Sequence, residues 1–225
     1  MNKSIPYCIT PTPDGAWLHT CNENLLLASL SKDTDNKTET IILETFKNAL
    51  TLFVEIRAAL KKTCHTTPFV GGLYLVDGTE MQNAMITING MGETSAYSST
   101  KSYSGTPSAV NLQFFEDVLG ISNDKLKYLE SNLLRYMKII QEDAKRATAE
   151  TIGILTCVVG YVELTGTTVT TFTYVTATKT TKDQFDKIDC ECNDLDKFNY
   201  EFNIVKFNYS PVNSAATKVV ANENN

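Results

Sequence analysis

Residues 151–164 read TIGILTCVVGYVEL and residues 167–180 read TTVTTFTYVTATKT, the most apolar and most β-branched part of the chain. Val, Ile, Thr, Tyr and Phe suit a pleated surface, so the two runs predict two long strands. Gly166 lies between them and can adopt the positive φ that a tight turn needs. The stretch therefore predicts a β-hairpin around which the rest of the chain is arranged.

Both faces of the first predicted strand are apolar, which is typical of a central strand covered on both sides. Alternate residues form the two faces, with Ile152, Ile154, Val158, Val162 and Leu164 on one and Leu155, Cys157, Val159 and Tyr161 on the other. The second predicted strand is rich in threonine, so we expect one of its faces to meet water or a partner. Its threonines include Thr167, Thr168, Thr170, Thr171, Thr173 and Thr176.

The composition is that of an ordinary globular protein, with 225 residues of which 42% are hydrophobic and 20% are charged. The net charge is −6 at pH 7 and no basic patch stands out, so we expect no nucleic-acid partner. No run of about 18 apolar residues is present, so we expect no membrane-spanning helix. Residues 1–15 lack the apolar segment of a signal peptide, and we expect production in the cytoplasm.

The spacing of apolar residues predicts the other regular elements. Spacings of three and four predict helices over Thr38–Thr63, Ala109–Leu119 and Asp124–Thr148. Strand patterns occur at Ala16–Thr20, Phe69–Val76, Asn83–Asn89 and Lys197–Tyr209. Together these elements predict a single α/β domain of the α+β kind, with a mostly antiparallel central sheet and helices packed on it.

Other segments are expected to be irregular. Prolines interrupt residues 1–37, which predicts an irregular arm with the character of a propeptide, and residues 212–225 read as a frayed tail, so the domain spans residues 38–211. Gly92–Ser108 is rich in Ser, Thr and Gly without periodicity and predicts a mobile loop. The alternation of the last strand flips at Val205–Lys206, which predicts a β-bulge there.

The sequence contains no catalytic motif, because it lacks the glycine-rich phosphate loops, the HExxH zinc motif and the GxSxG nucleophile motif. Cys64 and His65 are adjacent, a placement typical of an ordinary helix end rather than of a nucleophile and its base. Four residues offer zinc-ligand chemistry, but at spacings tighter than CxxC: His19, Cys21, Cys190 and Cys192. We therefore expect no enzyme, no cofactor and no metal site.

Three regions of the chain, the second of which contains two sequence patterns, are compared below in their order along the sequence. IILETFKNAL at 41–50 is followed by VNLQFFEDVLG and NDKLKYLESNLLRYM within 110–137, and then by KFNYEFNIVKFNYSP at 197–211. They resemble the first helical layer, the second helical hairpin and the closing strand of the cytolytic (Cyt) δ-endotoxins and the related fungal pore-forming cytolysins. The resemblance spans about residues 38–211 and implies a central sheet between two helical layers.

The resemblance implies a protoxin that is stored in the producing cell as a crystal or inclusion, released, and trimmed by proteases at both ends. It also implies direct action on the phospholipid of a target-cell membrane, and self-association, with a dimer as one form of the stored protein. In that family the helical layers are thought to move away so that the strands meet the bilayer, or the protein acts as a detergent-like aggregate. Two alternatives stay open: a non-lytic, self-assembling inclusion protein of the same fold, and a small enzyme or ligand-binding domain.

A strand that crosses a bilayer needs roughly 9–11 residues, and residues 151–164, 167–180 and 197–209 are long enough. The apolar side chains of these strands are the candidate membrane contacts: Leu155, Val159, Val169, Phe172, Tyr174, Val175, Phe202 and Ile204. In the water-soluble form we expect the strand faces to lie beneath Leu50, Phe53, Leu133 and Met137. We expect proteolytic activation at basic residues of the arm and the tail, namely Lys32, Lys37 and Lys218.

Overall fold

The computed structural model describes residues 7–20, 25–63, 78–88, 90–105, 107–147, 151–179 and 198–211 of the chain. These residues form one seven-stranded sheet with helices on both faces. The strands are β1 (Tyr7–Thr12), β2 (Gly15–Thr20), β3 (Leu25–Ser31), β4 (Met91–Gly105), β5 (Thr151–Val162), β6 (Thr167–Lys179) and β7 (Phe198–Pro211). The helices are α1 (Asn36–Thr63), α2 (Gly78–Ile86), α3 (Pro107–Leu119), α4 (Asn123–Leu126) and α5 (Glu130–Ala147), with a 3₁₀ turn at Lys127–Leu129 before α5.

The predicted hairpin lies at the centre of the sheet, whose strand order is β1-β2-β3-β5-β6-β7-β4. Its turn closes as expected, because Gly166 has a φ of +64° and its backbone N–H donates to the Val162 carbonyl over 2.9 Å. All neighbouring strands are antiparallel except β3 and β5, which run parallel. The mostly antiparallel sheet predicted from the sequence is therefore confirmed.

Two helical layers cover the two faces of the sheet, and each forms its own apolar core. The α1 layer consists of α1 and α2, and it packs on Leu155, Cys157, Val159, Phe172 and Tyr174. The α3 layer consists of α3, α4, the 3₁₀ turn and α5, and it packs on Trp17, Ile154, Val175 and Ile204. As predicted, Leu50 and Phe53 lie in the first core and Leu133 and Met137 in the second.

The threonines of β6 do not form one water-facing side, so that expectation was wrong. Thr170 and Thr173 point to opposite faces and are only 6% and 5% exposed. Helices cover both faces, and hydrogen bonds compensate the buried hydroxyls. The Thr168 and Thr45 hydroxyls lie 2.8 Å apart and join β6 to α1, while Thr173 Oγ1 donates to Asn208 Oδ1 over 2.8 Å.

The predicted bulge at Val205–Lys206 was also wrong. The pairing of β7 with β6 runs without interruption, and a register shift occurs instead on β4, between Glu93 and Ser95. The apolar parity of β7 flips because its two halves are covered by different layers. Ile204 packs in the core of the α3 layer, whereas Tyr209 packs in the core of the α1 layer.

The segment Gly92–Ser108, predicted to be a mobile loop, contains the long strand β4. It pairs with β7 from Met91 to Gly105. The outermost position of β4 in the described sheet explains its composition, because the side chains from Glu93 to Ser98 are exposed and can be polar on both faces. A strand of this kind has no apolar alternation from which sequence analysis can recognise it.

The predicted strand Asn83–Asn89 was wrong, because residues 78–86 form α2. Buried apolar residues recur there at the helical spacing of three and four: Met81, Ala84, Met85 and Ile88. The short β-branched run around Ile86 suggested a strand, but Ile86 is 69% exposed. The other predicted strand in this region, Phe69–Val76, lies outside the described residues.

β1, β2 and β3 extend the sheet, so the expectation of an irregular arm was wrong for residues 7–20 and 25–31, whereas the strand predicted at Ala16–Thr20 is confirmed as β2. Residues Leu25–Ala28 pair with β5 and are at most 5% exposed. The prolines of this segment suggested an irregular arm. Pro11 lies instead in β1, the outermost strand, where a proline is tolerated although it has no backbone N–H. The predicted helix Asp124–Thr148 exists but is divided into α4, the 3₁₀ turn and α5. The limits proposed for the arm, the domain and the tail stay predictions.

Candidate membrane-contact site

The candidate membrane contacts are distributed over both faces of the sheet rather than gathered on one surface. Leu155, Val159, Phe172 and Tyr174 lie beneath the α1 layer, whereas Val175 and Ile204 lie beneath the α3 layer. Val169 differs from these residues because it is 44% exposed. The Phe202 side chain lies outside the described residues. The helices therefore cover most of these apolar side chains.

Phe172 shows how firmly the α1 layer covers the sheet. Its side chain is fully buried, and its ring meets the ring of Phe53 edge to face, with 5.3 Å between the centroids. This geometry is favourable beyond the burial of apolar area. Phe172 and Phe53 therefore fasten the centre of β6 to α1.

The tip of the β5–β6 hairpin is the exception to this coverage, because it exposes three apolar side chains. Val162 is 39% exposed, Val169 is 44% exposed and Leu164, in the turn itself, is 95% exposed. Val162 pairs with Thr167 and Gly160 pairs with Val169, so the two valines are diagonal neighbours on one face. We call these three residues the hairpin tip. The sequence analysis named Val169 as a candidate membrane contact but did not name Val162 or Leu164. The feature that could have indicated Leu164 is an apolar residue inside a Gly-containing turn.

A cluster of polar side chains holds the end of α3 on the sheet. Asp117, in the last turn of α3, accepts a hydrogen bond from Lys101 Nζ at Oδ1 and one from the Tyr103 hydroxyl at Oδ2, each over 3.0 Å. Lys206 Nζ donates to the backbone carbonyl of Asp117 over 3.2 Å. We call these four residues the α3 latch. Sequence analysis gave no indication of it.

The surroundings of the latch residues shift their pKa values. The hydrogen bond and the charge of Asp117 raise the pKa of the Lys101 ammonium. Burial raises the pKa of the Tyr103 hydroxyl, and the neighbouring Asp117 carboxylate adds to this shift. Burial lowers the pKa of Lys206, against the opposing effect of the Asp117 charge. A cation beside the last carbonyls of a helix is also favoured by the helix dipole, so Lys206 stabilises the C-terminal turn of α3.

Beneath the α3 layer, several buried polar atoms of the described residues lack a hydrogen-bond partner. The Thr156 hydroxyl is fully buried, and neither it nor the Ser99 hydroxyl has a hydrogen-bond partner there. Asn111 of α3 is 3% exposed and its side-chain oxygen also lacks a partner among the described groups. Unpaired buried polar atoms are costly, so this interface is weaker than its apolar area suggests.

The proposed cleavage sites differ in their surroundings. Lys32 is exposed in the turn after β3, and its backbone N–H donates to the Asp14 carbonyl over 2.9 Å. Lys37 is exposed in the first turn of α1. Lys218 lies outside the described residues. Of the two proposed cleavage sites that the structure describes, Lys32 is the one that lies in a turn between regular elements, where a protease can reach the backbone.

We expect trypsin cleavage after Lys32 to nick the protein without releasing the fragment before it. Leu25–Ala28 are at most 5% exposed and pair with β5, so apolar burial and backbone hydrogen bonds keep β3 in place. The nicked protein should elute as one species in size-exclusion chromatography, with a reductant present so that the Cys8 disulfide cannot hold the fragments together, and separate into two fragments only under reducing, denaturing electrophoresis. Loss of the fragment under native conditions would contradict this prediction.

The residues considered as zinc ligands do not form a described metal site. His19 is 3% exposed, its Nδ1 donates to the Thr20 carbonyl over 3.1 Å, and its Nε2 lies 2.8 Å from Thr10 Oγ1. Cys21, Cys190 and Cys192 lie outside the described residues. Within the described part of the chain, no three His, Cys, Asp or Glu side chains are grouped as metal ligands would be. Cys8 of β1 is disulfide-bonded, and Cys157 is a buried free thiol.

In the described part of the chain, no helix is long and apolar enough to cross a membrane. No protein-family model and no curated protein matches the sequence. Solved structures do match. The chain shares its fold with the Evf virulence factor. That similarity has a TM-score of 0.50 at 10% sequence identity, over 96% of this chain and 80% of the other.

Two further structures are similar at lower scores. Activated Cyt2Ba monomer from Bacillus thuringiensis subsp. israelensis has a TM-score of 0.42 at 10% identity, over 74% of this chain and 93% of the other. A delta-endotoxin has a TM-score of 0.40 at 10% identity, over 100% of this chain and 96% of the other. At 10% identity, the similarity to the Evf virulence factor concerns the fold alone.

Proposed function

We propose that this protein is a membrane-lytic or pore-forming toxin that acts directly on phospholipid. The observation that carries the proposal is the enclosure of three long strands between two helical layers. β5, β6 and β7 have 12, 13 and 14 residues, whereas a strand needs roughly 9–11 residues to cross a bilayer. The strands are therefore long enough to act in a membrane, and the helices keep their apolar side chains from water until then.

The energetics of the two layers support this proposal. In water, separating either layer from the sheet exposes apolar surface at about 25 cal/mol per Å², so the closed form is favoured. In a bilayer this penalty is absent, because lipid chains are as apolar as the core. Contact with a membrane therefore removes the main force that holds the helices on the sheet.

The hairpin tip is the part of the closed protein that is ready for a first contact with lipid. Leu164 is 95% exposed, and burying such a side chain stabilises a complex by about 1.5–3 kcal/mol. Three side chains are too small a surface for a stable protein partner, which buries about 800 Å² on each side. The adjacent Glu163 is exposed and the net charge is −6, so a zwitterionic membrane suits the tip better than an anionic one.

Storage and activation form the second part of the proposal. The protein is made in the cytoplasm, stored as a self-associated inclusion, and acts on a target-cell membrane after release and trimming near Lys32, Lys37 and Lys218. These steps rest on the sequence resemblance alone. Self-association in the stored form and in the membrane makes a second copy of the chain its protein partner.

Dye release from phosphatidylcholine vesicles tests the proposed function. We expect release at micromolar protein, and faster release after light trypsin treatment. An absence of release, both before and after trimming to a stable core, would overturn the lytic function. In that case the alternative is a non-lytic inclusion protein of the same fold, and crystals inside the producing cell would identify it.

The variant Leu164→Asp is expected to lower the initial rate of dye release by about tenfold or more. It replaces the most exposed apolar side chain of the tip with a charge that must stay in water. Ile86→Asp is the matched control, because Ile86 is 69% exposed at the end of α2 and does not belong to the hairpin tip. Equal rates for the two variants would show that the tip plays no special part.

A further inference from the structure

We infer that the α3 layer opens at the membrane, and that Asp117 is the residue that keeps this layer closed until then. This inference rests on the proposed function and adds to it the moving part and its control. It assigns Asp117, Lys101, Tyr103 and Lys206 a role in that control.

The two faces of the sheet differ in what holds their helices. Beneath the α1 layer, Cys157, Phe172 and Tyr174 are at most 1% exposed and give an apolar contact. Beneath the α3 layer, the sheet presents the half-buried Lys206 and the buried hydroxyl of Thr156, which lacks a described partner. The buried Tyr209 hydroxyl beneath the α1 layer also lacks a described partner, so what distinguishes the α3 layer among the described residues is its ion pair with the sheet, between Asp117 and Lys101.

The latch supplies directional contacts between α3 and the sheet. Asp117 receives two hydrogen bonds of 3.0 Å through its carboxylate, one from an ammonium and one from a buried hydroxyl. Its backbone carbonyl receives a third hydrogen bond, of 3.2 Å, from Lys206. The donors stand on β4 and β7, so one residue of α3 is tied to two adjacent strands. Charge-assisted hydrogen bonds are stronger than those between neutral groups.

A membrane changes the relative weight of these contacts. The apolar residues of α3, among them Phe114 and Phe115, can exchange the core for lipid at little cost. The latch has no such substitute, because acyl chains offer the Asp117 carboxylate, which is 33% exposed beside Lys101, no donor in place of that ammonium. The latch therefore adds to burial in keeping the layer closed in water, and it is the contact that opposes opening at a bilayer.

Hydrogen exchange in solution tests the latch without a membrane. In Asp117→Ala, amides in the C-terminal half of α3 should exchange about tenfold faster than in the unmodified protein, while amides of α1 keep their rates. Thr45→Val is the matched control, because it removes the 2.8 Å contact between α1 and Thr168 and leaves the α3 latch intact. It should affect α1 and spare α3. Unchanged exchange in α3 of Asp117→Ala, or equal acceleration in both helices, would overturn the inference.

Two milder variants keep the test informative if Asp117→Ala does not fold. Tyr103→Phe removes one donor and keeps the ring that meets Phe114 at 6.1 Å, and Lys101→Met removes the ammonium and keeps an apolar stem. Each should accelerate exchange in α3 less than Asp117→Ala does. An absence of any effect in both variants would contradict the latch.

Dye release from phosphatidylcholine vesicles links the latch to the proposed function. Asp117→Ala should release dye several-fold faster than the unmodified protein, and Thr45→Val should release it at the unmodified rate. If exchange responds as expected but no variant releases dye, the latch stands and the lytic function fails. If the unmodified protein releases dye and Asp117→Ala is no faster, the lytic function stands and the latch fails.

Discussion

Phe172→Ala is expected to lower the free energy of unfolding by about 3–5 kcal/mol, the usual cost of removing a fully buried ring. Phe172 is 0% exposed in the centre of β6, and its ring meets Phe53 at 5.3 Å. The substitution leaves a cavity between the sheet and α1 that the close-packed core cannot fill without strain. Urea unfolding followed by the fluorescence of Trp17 measures the change.

Val169→Ala is the control for this prediction, because Val169 lies on the same strand and is 44% exposed. Its expected cost is below about 1 kcal/mol, since exposed positions contribute little. Similar losses for both variants would contradict the burial of β6 beneath the α1 layer.

Raising the pH above 10 is expected to destabilise the protein through two buried tyrosines. Burial, with the charge of Glu93 adding to it, raises the pKa of Tyr209 from 10.0 to about 12. Burial likewise raises the pKa of Tyr103, and the Asp117 carboxylate adds to the shift. Between pH 10 and 12 the unfolded chain therefore releases protons that the folded chain keeps. Stability falls as pH rises, by up to about 1.4 kcal/mol per pH unit for each group.

The lysines of the latch contribute with opposite signs. The pKa of Lys101 is raised in the folded state, so its contribution is also lost as the pH rises through that value. The pKa of Lys206 is lowered, so its contribution improves as the pH approaches 10.5 and then stays constant. Above this pH, the tyrosines and Lys101 act in the same direction and stability decreases.

Tyr209→Phe separates the tyrosine effect from general alkaline damage. The Tyr209 hydroxyl is buried without a hydrogen-bond partner among the described residues, so its removal should leave stability at pH 7 unchanged or higher. The variant should lose less stability than the unmodified protein between pH 10 and 12. Urea midpoints at pH 8, 10 and 11 measure this, and equal slopes for the two proteins would refute the assignment.

The central hairpin, α1 and α3 could be predicted because their patterns are local. β5 is apolar on both faces, and Gly166 marks the turn that follows it. Leu50 and Phe53 recur at helical spacing on the face of α1 that is buried. In each case, the residues that determine the element are close together in the sequence.

Elements that depend on their neighbours in the sheet could not be predicted in the same way. β4 is polar because it lies at the end of the described sheet order, and its strand form depends on pairing with β7. β1 contains Pro11, which is typical of an irregular segment until a sheet provides an outermost position. The parity of β7 was misread because a single strand contributes to two cores.

The candidate site combines predictable and unpredictable parts. The apolar side chains of β5 and β6 follow from the strand pattern, although the structure assigns them to opposite faces. The latch joins residues that are 14, 16 and 89 positions apart, and only the finished topology brings them together. Leu164 was overlooked because exposure at a turn cannot be read from apolar periodicity.

The most direct test of the account uses Trp17, the single tryptophan of the chain. Its indole N–H donates to the Lys125 carbonyl of α4 over 3.1 Å, and its side chain is 5% exposed beneath the α3 layer. Vesicles of phosphatidylcholine with brominated acyl chains quench only a tryptophan that reaches lipid. We predict that Trp17 fluorescence is quenched once the protein binds these vesicles, and more strongly in Asp117→Ala. Unquenched Trp17 in protein that is bound to the vesicles would contradict the opening of the α3 layer and the contact of the sheet with the membrane.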